Sequence, residues 1–302
     1  MAEVSPLRTL AVDRRQQALV GAAAVTGVLT GLAVAGFETL TGHVLLDRVL
    51  RAPLAAQAVA PVLGLLLAAL ALKLLAGGAS PSTADQYVAN FHDRPHWLDT
   101  KPLPGRIVAS VATLGLGGAM GFEGPSIYLG AAVGSTLQHR LSHWFRRDEM
   151  KALLVAGAAG GVAAIFRAPA TGVLFALEVP YQDDIARRGL IPALVAAAAS
   201  YLTFVALIGT KPLLALVPAG GHFVLAELVA ALVLGLVAGL GARGMAWILR
   251  HAKDASLAWP LWLRLVVAGG GMAVLVVVSH HLFGQSLALG PGYRTLGWVA
   301  EP

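Results

Sequence analysis

Cysteine is absent from all 302 residues, and with it go disulfide staples, thiolate metal sites and cysteine nucleophiles. Charge is scarce as well: only 13% of residues are Asp, Glu, Lys or Arg, about half the share of a soluble domain. A chain so poor in charge cannot present a solvated surface on every side. Residues 1–15 lack the basic start, short apolar core and small-residue cleavage site of a signal peptide. They carry Glu3, Arg8, Asp13, Arg14 and Arg15 and read as a cytoplasmic lead-in. Strand-like alternation, low-complexity tracts and visible sequence repeats are also missing. The net charge of +6 does not imply a nucleic-acid partner, because the basic residues sit at the ends of apolar runs and form no stripe on a polar face.

Apolar residues make up 57% of the chain, and its mean hydropathy is +0.73. Uncharged runs from Gln16 to Phe37, Ala52 to Leu72, Gly189 to Thr210 and Leu265 to Tyr293 each reach or exceed the roughly 20 residues that span a bilayer. The pattern is that of a polytopic integral membrane protein with the lipid bilayer as its surroundings. Arg14 and Arg15, just ahead of the first run, place the N-terminus on the cytoplasmic side by the positive-inside rule, and the plasma (inner) membrane is the expected location. Helices are predicted over Gln16 to Val49, Leu54 to Leu75, Gly105 to Gly117, Met150 to Phe166, Ala186 to Ile208, Leu225 to His251 and Leu261 to Leu282. Between them lie short pieces that open with proline near Gly, Ser or Ala: Pro81 to Phe91, Pro125 to Leu137 and Pro169 to Glu178. Interrupted segments of this kind point to a binding site at mid-membrane, because half-helix ends can face a substrate there. His139, Arg140, Arg146, Arg147, Asp148, Glu149 and Lys151 read as an interfacial turn, with Trp144 as its aromatic anchor.

One carboxylate stands out. Gly121-Phe122-Glu123-Gly124-Pro125 sets an acid between glycines and between two apolar runs, where a membrane-centred acid costs about 2.5–3.5 kcal/mol and needs a reason. Proline is tolerated in a first helical turn, and glycine lets backbone approach a ligand closely. The segment therefore reads as a buried helix N-terminus, which carries about half a positive elementary charge and unpaired N–H groups that attract anions. Glu123 is then a tethered anion that a permeating anion must displace. Burial favours its neutral form while the helix end favours its charged form, so protonation is the expected switch. The bland alternative is an N-cap carboxylate that satisfies only its own helix.

A metal enzyme is the rival from another class. Asn90-Phe91-His92-Asp93-Arg94-Pro95-His96-Trp97 holds ligand-type side chains, with His92 and His96 at helical spacing. Pro95 disrupts that helix and no third or fourth ligand converges nearby, so an interfacial loop without a metal is expected.

Two motifs together resemble the CLC family of chloride channels and chloride/proton exchangers. Gly121-Phe122-Glu123-Gly124-Pro125 is similar to the family's G-x-E-G-P element. The Gly/Ala-rich stretch Ala156 to Pro169, followed by Gly172-Val173-Leu174-Phe175-Ala176-Leu177-Glu178, resembles its A-P and G-x-L-F-x-x-E segment. Leu289-Gly290-Pro291-Gly292-Tyr293 is a weaker likeness to the G-G-G-[YF] element that begins a later family helix. The small residues from Ala156 to Ala164 read on their own as close helix packing.

The resemblance implies an all-α bundle of tilted, broken and re-entrant helices over residues 16–302, with an incomplete inverted repeat, since the chain ends at Pro302 before the family's second-half G-x-F-x-P element and pore tyrosine. It implies transport of chloride or a similar small anion, with no enzymatic activity and no cofactor, by a homodimer that pairs through the side bearing Pro169 to Ile208. Glu123 takes the role of gating carboxylate, and Gly121, Phe122, Glu123, Gly124 and Pro125 that of the outer anion site. The family's inner site uses a serine of a G-S-G-I-P element. The matching stretch is Gly77-Gly78-Ala79-Ser80-Pro81, with Gly78 at the serine position, so Ser80, Ser82 or Thr83 is left as hydroxyl donor. Glu178 corresponds to an internal acid, but Val179 follows where exchangers carry a second, proton-relaying glutamate. That favours channel-like conduction over proton coupling, with a chloride/proton antiporter or a pore-less structural subunit as alternatives.

Overall fold

The computed structural model describes residues 14–93, 97–144, 151–210 and 225–300. Every regular element among them is helical. Helix α1 (Arg14–Glu38) widens without a break into a π-helical segment (Thr39–Leu46) and ends in a short α2 (Asp47–Leu50). There follow α3 (Leu54–Leu75), α4 (Ala84–His92), α5 (Leu103–Gly115), α6 (Glu123–Arg140), α7 (Ala152–Phe166), α8 (Pro169–Glu178), α9 (Leu190–Ile208), α10 (Leu225–Leu257), α11 (Leu261–Phe283) and α12 (Tyr293–Ala300). Among the described residues five stretches are long and apolar enough to cross a membrane: Gln16–Leu50, Leu54–Leu75, Arg187–Ile208, Leu225–Leu257 and Leu261–Phe283. The predicted elements are all present. Their limits move by a few residues, α4 starting at Ala84 rather than Pro81, and α10 running on to Leu257.

Helix α7 is the axis of the bundle, with every residue from Ala152 to Ile165 buried. Its Gly/Ala sequence explains how. Lipid tails are as apolar as leucine, so membrane helices gain by close van der Waals approach, which small residues permit. Here the approach is backbone to backbone: a Cβ on Gly157 would lie 1.9 Å from the carbonyl oxygen of Gly130, and one on Gly130 would lie 2.0 Å from that of Gly157. The same contact recurs one turn away on either side, Gly134 against Leu153 and Gly161 against Ser126. Helices α1 and α9 meet similarly, Gly27 and Gly31 lying against the carbonyls of Ala196 and Ser200. The packing reading of Ala156 to Ala164 holds.

The short helices are wedged into this bundle. Tyr87 of α4, fully buried, donates from its hydroxyl to the Ala176 carbonyl of α8 at 2.6 Å. At the other end of α4, Lys151 donates to the carbonyls of Asn90 at 2.7 Å, of Asp93 at 2.8 Å and of Phe91, so a cation stands at the negative end of the helix. Burial lowers the pKa of that amine, against an opposing pull from Asp93. Lys151 thus anchors α4, whereas Arg146, Arg147, Asp148 and Glu149 of the predicted turn, and the Trp144 side chain, lie outside what the structure describes.

Candidate functional site

The N-termini of two helices meet, Thr83 at the start of one lying against Gly124 at the start of the other. The first is α6. The chain turns after α5 at Gly117, whose φ of +93° suits glycine, and Phe122 becomes the N-cap of a helix whose first three residues are Glu123, Gly124 and Pro125. The proline removes only an N–H that has no partner in a first turn. The N-cap Phe122 makes no side-chain capping bond. The Glu123 side chain folds back over Gly121: a Cβ there would sit 1.6 Å from Oε2, so the carboxylate occupies the room that glycine leaves. Glu123 is half-buried, while Phe122 and Pro125 are buried.

The second is α4. Gly77 and Gly78 take φ values of +59° and +78°, and the Gly78 N–H donates back to Leu72 at 2.9 Å, which closes α3 and frees the chain to re-enter. Ser80 accepts from the Ser82 amide at 3.2 Å, and the Ser82 hydroxyl donates to Asp85 at 2.6 Å. Thr83 is the N-cap but makes no capping bond with its hydroxyl. That hydroxyl faces α6 instead, 2.7 Å from the place a Cβ on Gly124 would occupy. Of the three candidate donors, then, Thr83 meets the α6 terminus, Ser82 gives its proton to Asp85, and Ser80 takes part in the local turn as an acceptor.

A buried arginine holds the pair in place. Arg106 of α5, 5% exposed, donates from Nε to the Ser80 carbonyl and from Nη1 to the Tyr128 hydroxyl of α6, each at 2.9 Å. It therefore ties the loop before α4 to the body of α6.

A second group of polar side chains adjoins Glu123. The loop Leu289 to Gly292 is hydrogen-bonded to the α5–α6 turn, Gly290 N–H to Gly117 carbonyl at 3.1 Å, and this sets Tyr293 beside Glu123 with its hydroxyl 3.5 Å from Oε1. Arg167, at the end of α7, takes the left-handed conformation (φ +54°), which is uncommon for a residue with a side chain. Its Nη2 lies 3.8 Å from Oε1 of Glu38 and its guanidinium stands over the Phe204 ring at 5.8 Å.

Glu178 is not part of this assembly. It is the exposed last residue of α8, beside the C-terminal end of α4, where His92 Nε2 donates to the Pro180 carbonyl at 2.5 Å. The length of α4, about 13 Å at 1.5 Å per residue, separates that end from Thr83. The same bond engages His92, His96 lies outside the described residues, and among the described residues no three His, Asp or Glu side chains gather as metal ligands.

The structure therefore joins Gly121, Phe122, Glu123, Gly124, Pro125 and Thr83. Sequence reasoning missed Arg106, Glu38 and Arg167, and took Tyr293 only as a family marker. A signal was present for each: Arg106 stands at the start of a predicted apolar helix, Glu38 inside the predicted helix Gln16 to Val49, and Arg167 within the Gly/Ala motif. An ionisable residue in such a place is a functional candidate by default.

Comparison with known proteins agrees on the fold. The sequence profile of the voltage gated chloride channel family matches residues 63–301. The chain is 43% identical over 97 residues to a chloride channel protein, CLC-d, of Arabidopsis thaliana, covering 28% of this chain and 12% of that one. It is 32% identical over 186 residues to an H(+)/Cl(-) exchange transporter, ClcA, of Cronobacter sakazakii, covering 56% and 38%. Among solved structures it resembles a slow cyanobacterial Cl−/H+ antiporter, with a TM-score of 0.75 at 22% identity over 93% of this chain and 67% of that one. A CLC-type fluoride/proton antiporter gives a TM-score of 0.76 at 23% identity over 95% and 71%. The match thus spans well under half the length of the two sequence relatives.

Proposed function

The chain belongs to the voltage gated chloride channel family, and from that premise we propose that it conducts chloride or a similar small anion through a pathway gated by Glu123. The observation that carries this reading is the convergence of α4 and α6, with Thr83 Oγ1 against Gly124 and the Glu123 carboxylate folded over Gly121. Two positive helix ends and a hydroxyl make an anion site, and the carboxylate is its resident competitor. Ionised, Glu123 holds the site. Protonated, it loses that attraction, swings away and admits the anion. Conduction is channel-like, because Val179 follows Glu178 where exchangers carry a proton-relaying acid. Two copies pair through the face of α8 and α9.

Chloride efflux from liposomes, measured across pH, tests the gate. Flux is expected to rise as pH falls, and Glu123→Gln is expected to conduct with little pH dependence. A variant that keeps the parent's pH response returns Glu123 to a passive role. The second reading, an antiporter, is favoured by the exchange transporters among the relatives and by the two antiporter structures. Proton uptake driven by a chloride gradient in the same liposomes separates the two, since a channel moves none.

A further inference from the structure

Glu38 is buried, at 9% exposure, in the last turn of α1, where the helix widens into its π-helical segment. Such widenings are frequent at functional sites. Among the described residues its cationic partner within ion-pair reach is Arg167, and 3.8 Å is too long for a hydrogen bond. Its other oxygen, Oε2, is buried with no donor among the described residues, as is the Thr41 hydroxyl one turn on. A buried carboxylate with so few donors is costly to keep ionised.

Its neighbours are those of the gate. Phe37, next to Glu38, meets Phe122, next to Glu123, edge to face at 6.0 Å between ring centres. Both rings belong to one apolar cluster with Ile165 and Phe204, against which Phe166 and Tyr293 pack. Gly42 of the π-helical segment lies against the Phe122 ring and the Glu38 side chain. Tyr293, whose hydroxyl meets Glu123, packs against that same cluster. The charged and titratable groups facing Glu38 are thus Arg167 from the end of α7, Tyr293 from the start of α12 and His43 from its own helix. His43 is exposed and lies 4.0 Å from Asp47.

We propose that Glu38 is a second proton-binding residue of the gate, with Arg167 as its counter-ion and Tyr293 as the bridge to Glu123. The proposal rests on the reading of Glu123 as the gate and adds a site to it. The carboxylate of Glu38 takes one proton from water and becomes a neutral acid, while Arg167 keeps its charge. The pair then changes from net neutral to net positive, which draws the Glu123 carboxylate more firmly into its ionised, closed form. Glu38 therefore works against Glu123 as pH falls: the two acids titrate as a coupled pair, and acid activation is spread over a wider pH range than one group gives.

The test is the acid-activation midpoint of chloride efflux. Glu38→Gln removes a negative charge beside Arg167 and is expected to move the midpoint to lower pH by about one unit, the shift a unit charge about 10 Å away produces at an effective dielectric near 20. The double variant Glu38→Gln/Arg167→Gln removes both charges and is expected to return the midpoint toward that of the parent. A structural role for Glu38 predicts no such return. Infrared difference spectra between neutral and acid pH give a readout free of transport. The parent is expected to gain two protonated-carboxyl bands, of which Glu38→Gln loses one and Glu123→Gln the other. An unmoved midpoint in Glu38→Gln, or both bands intact in its spectrum, overturns the proposal. If instead Glu123→Gln keeps the parent's pH response, it is the gate reading that fails, and the infrared bands still decide whether Glu38 takes a proton.

Discussion

At the scale of single residues, the site is a matter of which hydroxyl is free to turn. The Ser82 hydroxyl spends its proton on Asp85 and the Ser80 oxygen only accepts from the Ser82 amide; what singles out Thr83 is that its hydroxyl faces Gly124. A neutral donor to an anion contributes about 1.5 kcal/mol or more, roughly a tenfold change in affinity. Thr83→Val, which keeps the shape and loses the hydroxyl, is therefore expected to weaken apparent chloride affinity about tenfold in a binding titration. Thr83→Ser is expected to retain it and Ser80→Ala to leave it nearly unchanged. The opposite order of Thr83 and Ser80 effects returns the inner-site role to Ser80. Glu123 was legible in the sequence because an acid between glycines in an apolar stretch must be compensated by something, and a helix start supplies it on the spot. Thr83 was legible only as one of three, since the choice depends on Asp85, and nothing in the spacing says which serine Asp85 will hold. The Glu38–Arg167 pair was hidden because its members belong to helices far apart in the chain, and only the packing of α1 against α7 brings them together.

At the scale of elements, the limits of α3 and α8 were readable because their punctuation is chemical. Pro53 precedes α3, Gly77 and Gly78 follow it, and Pro169 opens α8. Gly290, Pro291 and Gly292 likewise punctuate the start of α12 at Tyr293, whereas the π-helical widening after Glu38 left no such mark because it keeps a helical periodicity. The position of α6 depends on its glycine contacts with α7. A methyl at Gly157 would fall 1.9 Å from the Gly130 carbonyl oxygen, so the two backbones must part to admit it. Gly157→Ala is expected to cost about 2 kcal/mol or more, seen as a lower Tm in detergent. The Gly36→Ala change, at a position with nothing within 4 Å of the added Cβ, is the control and is expected to leave Tm in place. Equal behaviour of the two variants removes the close approach as a source of stability.

At the scale of the whole molecule, apolar side chains face outward over much of the bundle. Leu174 of α8 and Ile191 and Leu202 of α9 are 57%, 63% and 66% exposed, while α10 has no buried residue at all. The proposed dimer uses the first of these faces. Because the chain has no cysteine, single cysteines report contacts without background. Leu202→Cys is expected to yield a crosslinked dimer in membranes, and Leu236→Cys, on α10, to remain monomeric on the same gel. The reverse result moves the interface to α10.

The reciprocal glycines of α6 and α7 have a further consequence for tempo. With Gly130 and Gly157 in backbone contact, and Gly134 and Gly161 seated against Leu153 and Ser126, the gate proposed above opens by movement of the Glu123 side chain and not by rolling or sliding of α6. Rotamer hops take picoseconds to nanoseconds, against microseconds to milliseconds for collective helix movement. In the proposed gate the rhythm of opening is then expected to follow how often a proton reaches the carboxylate, not how fast the fold can bend.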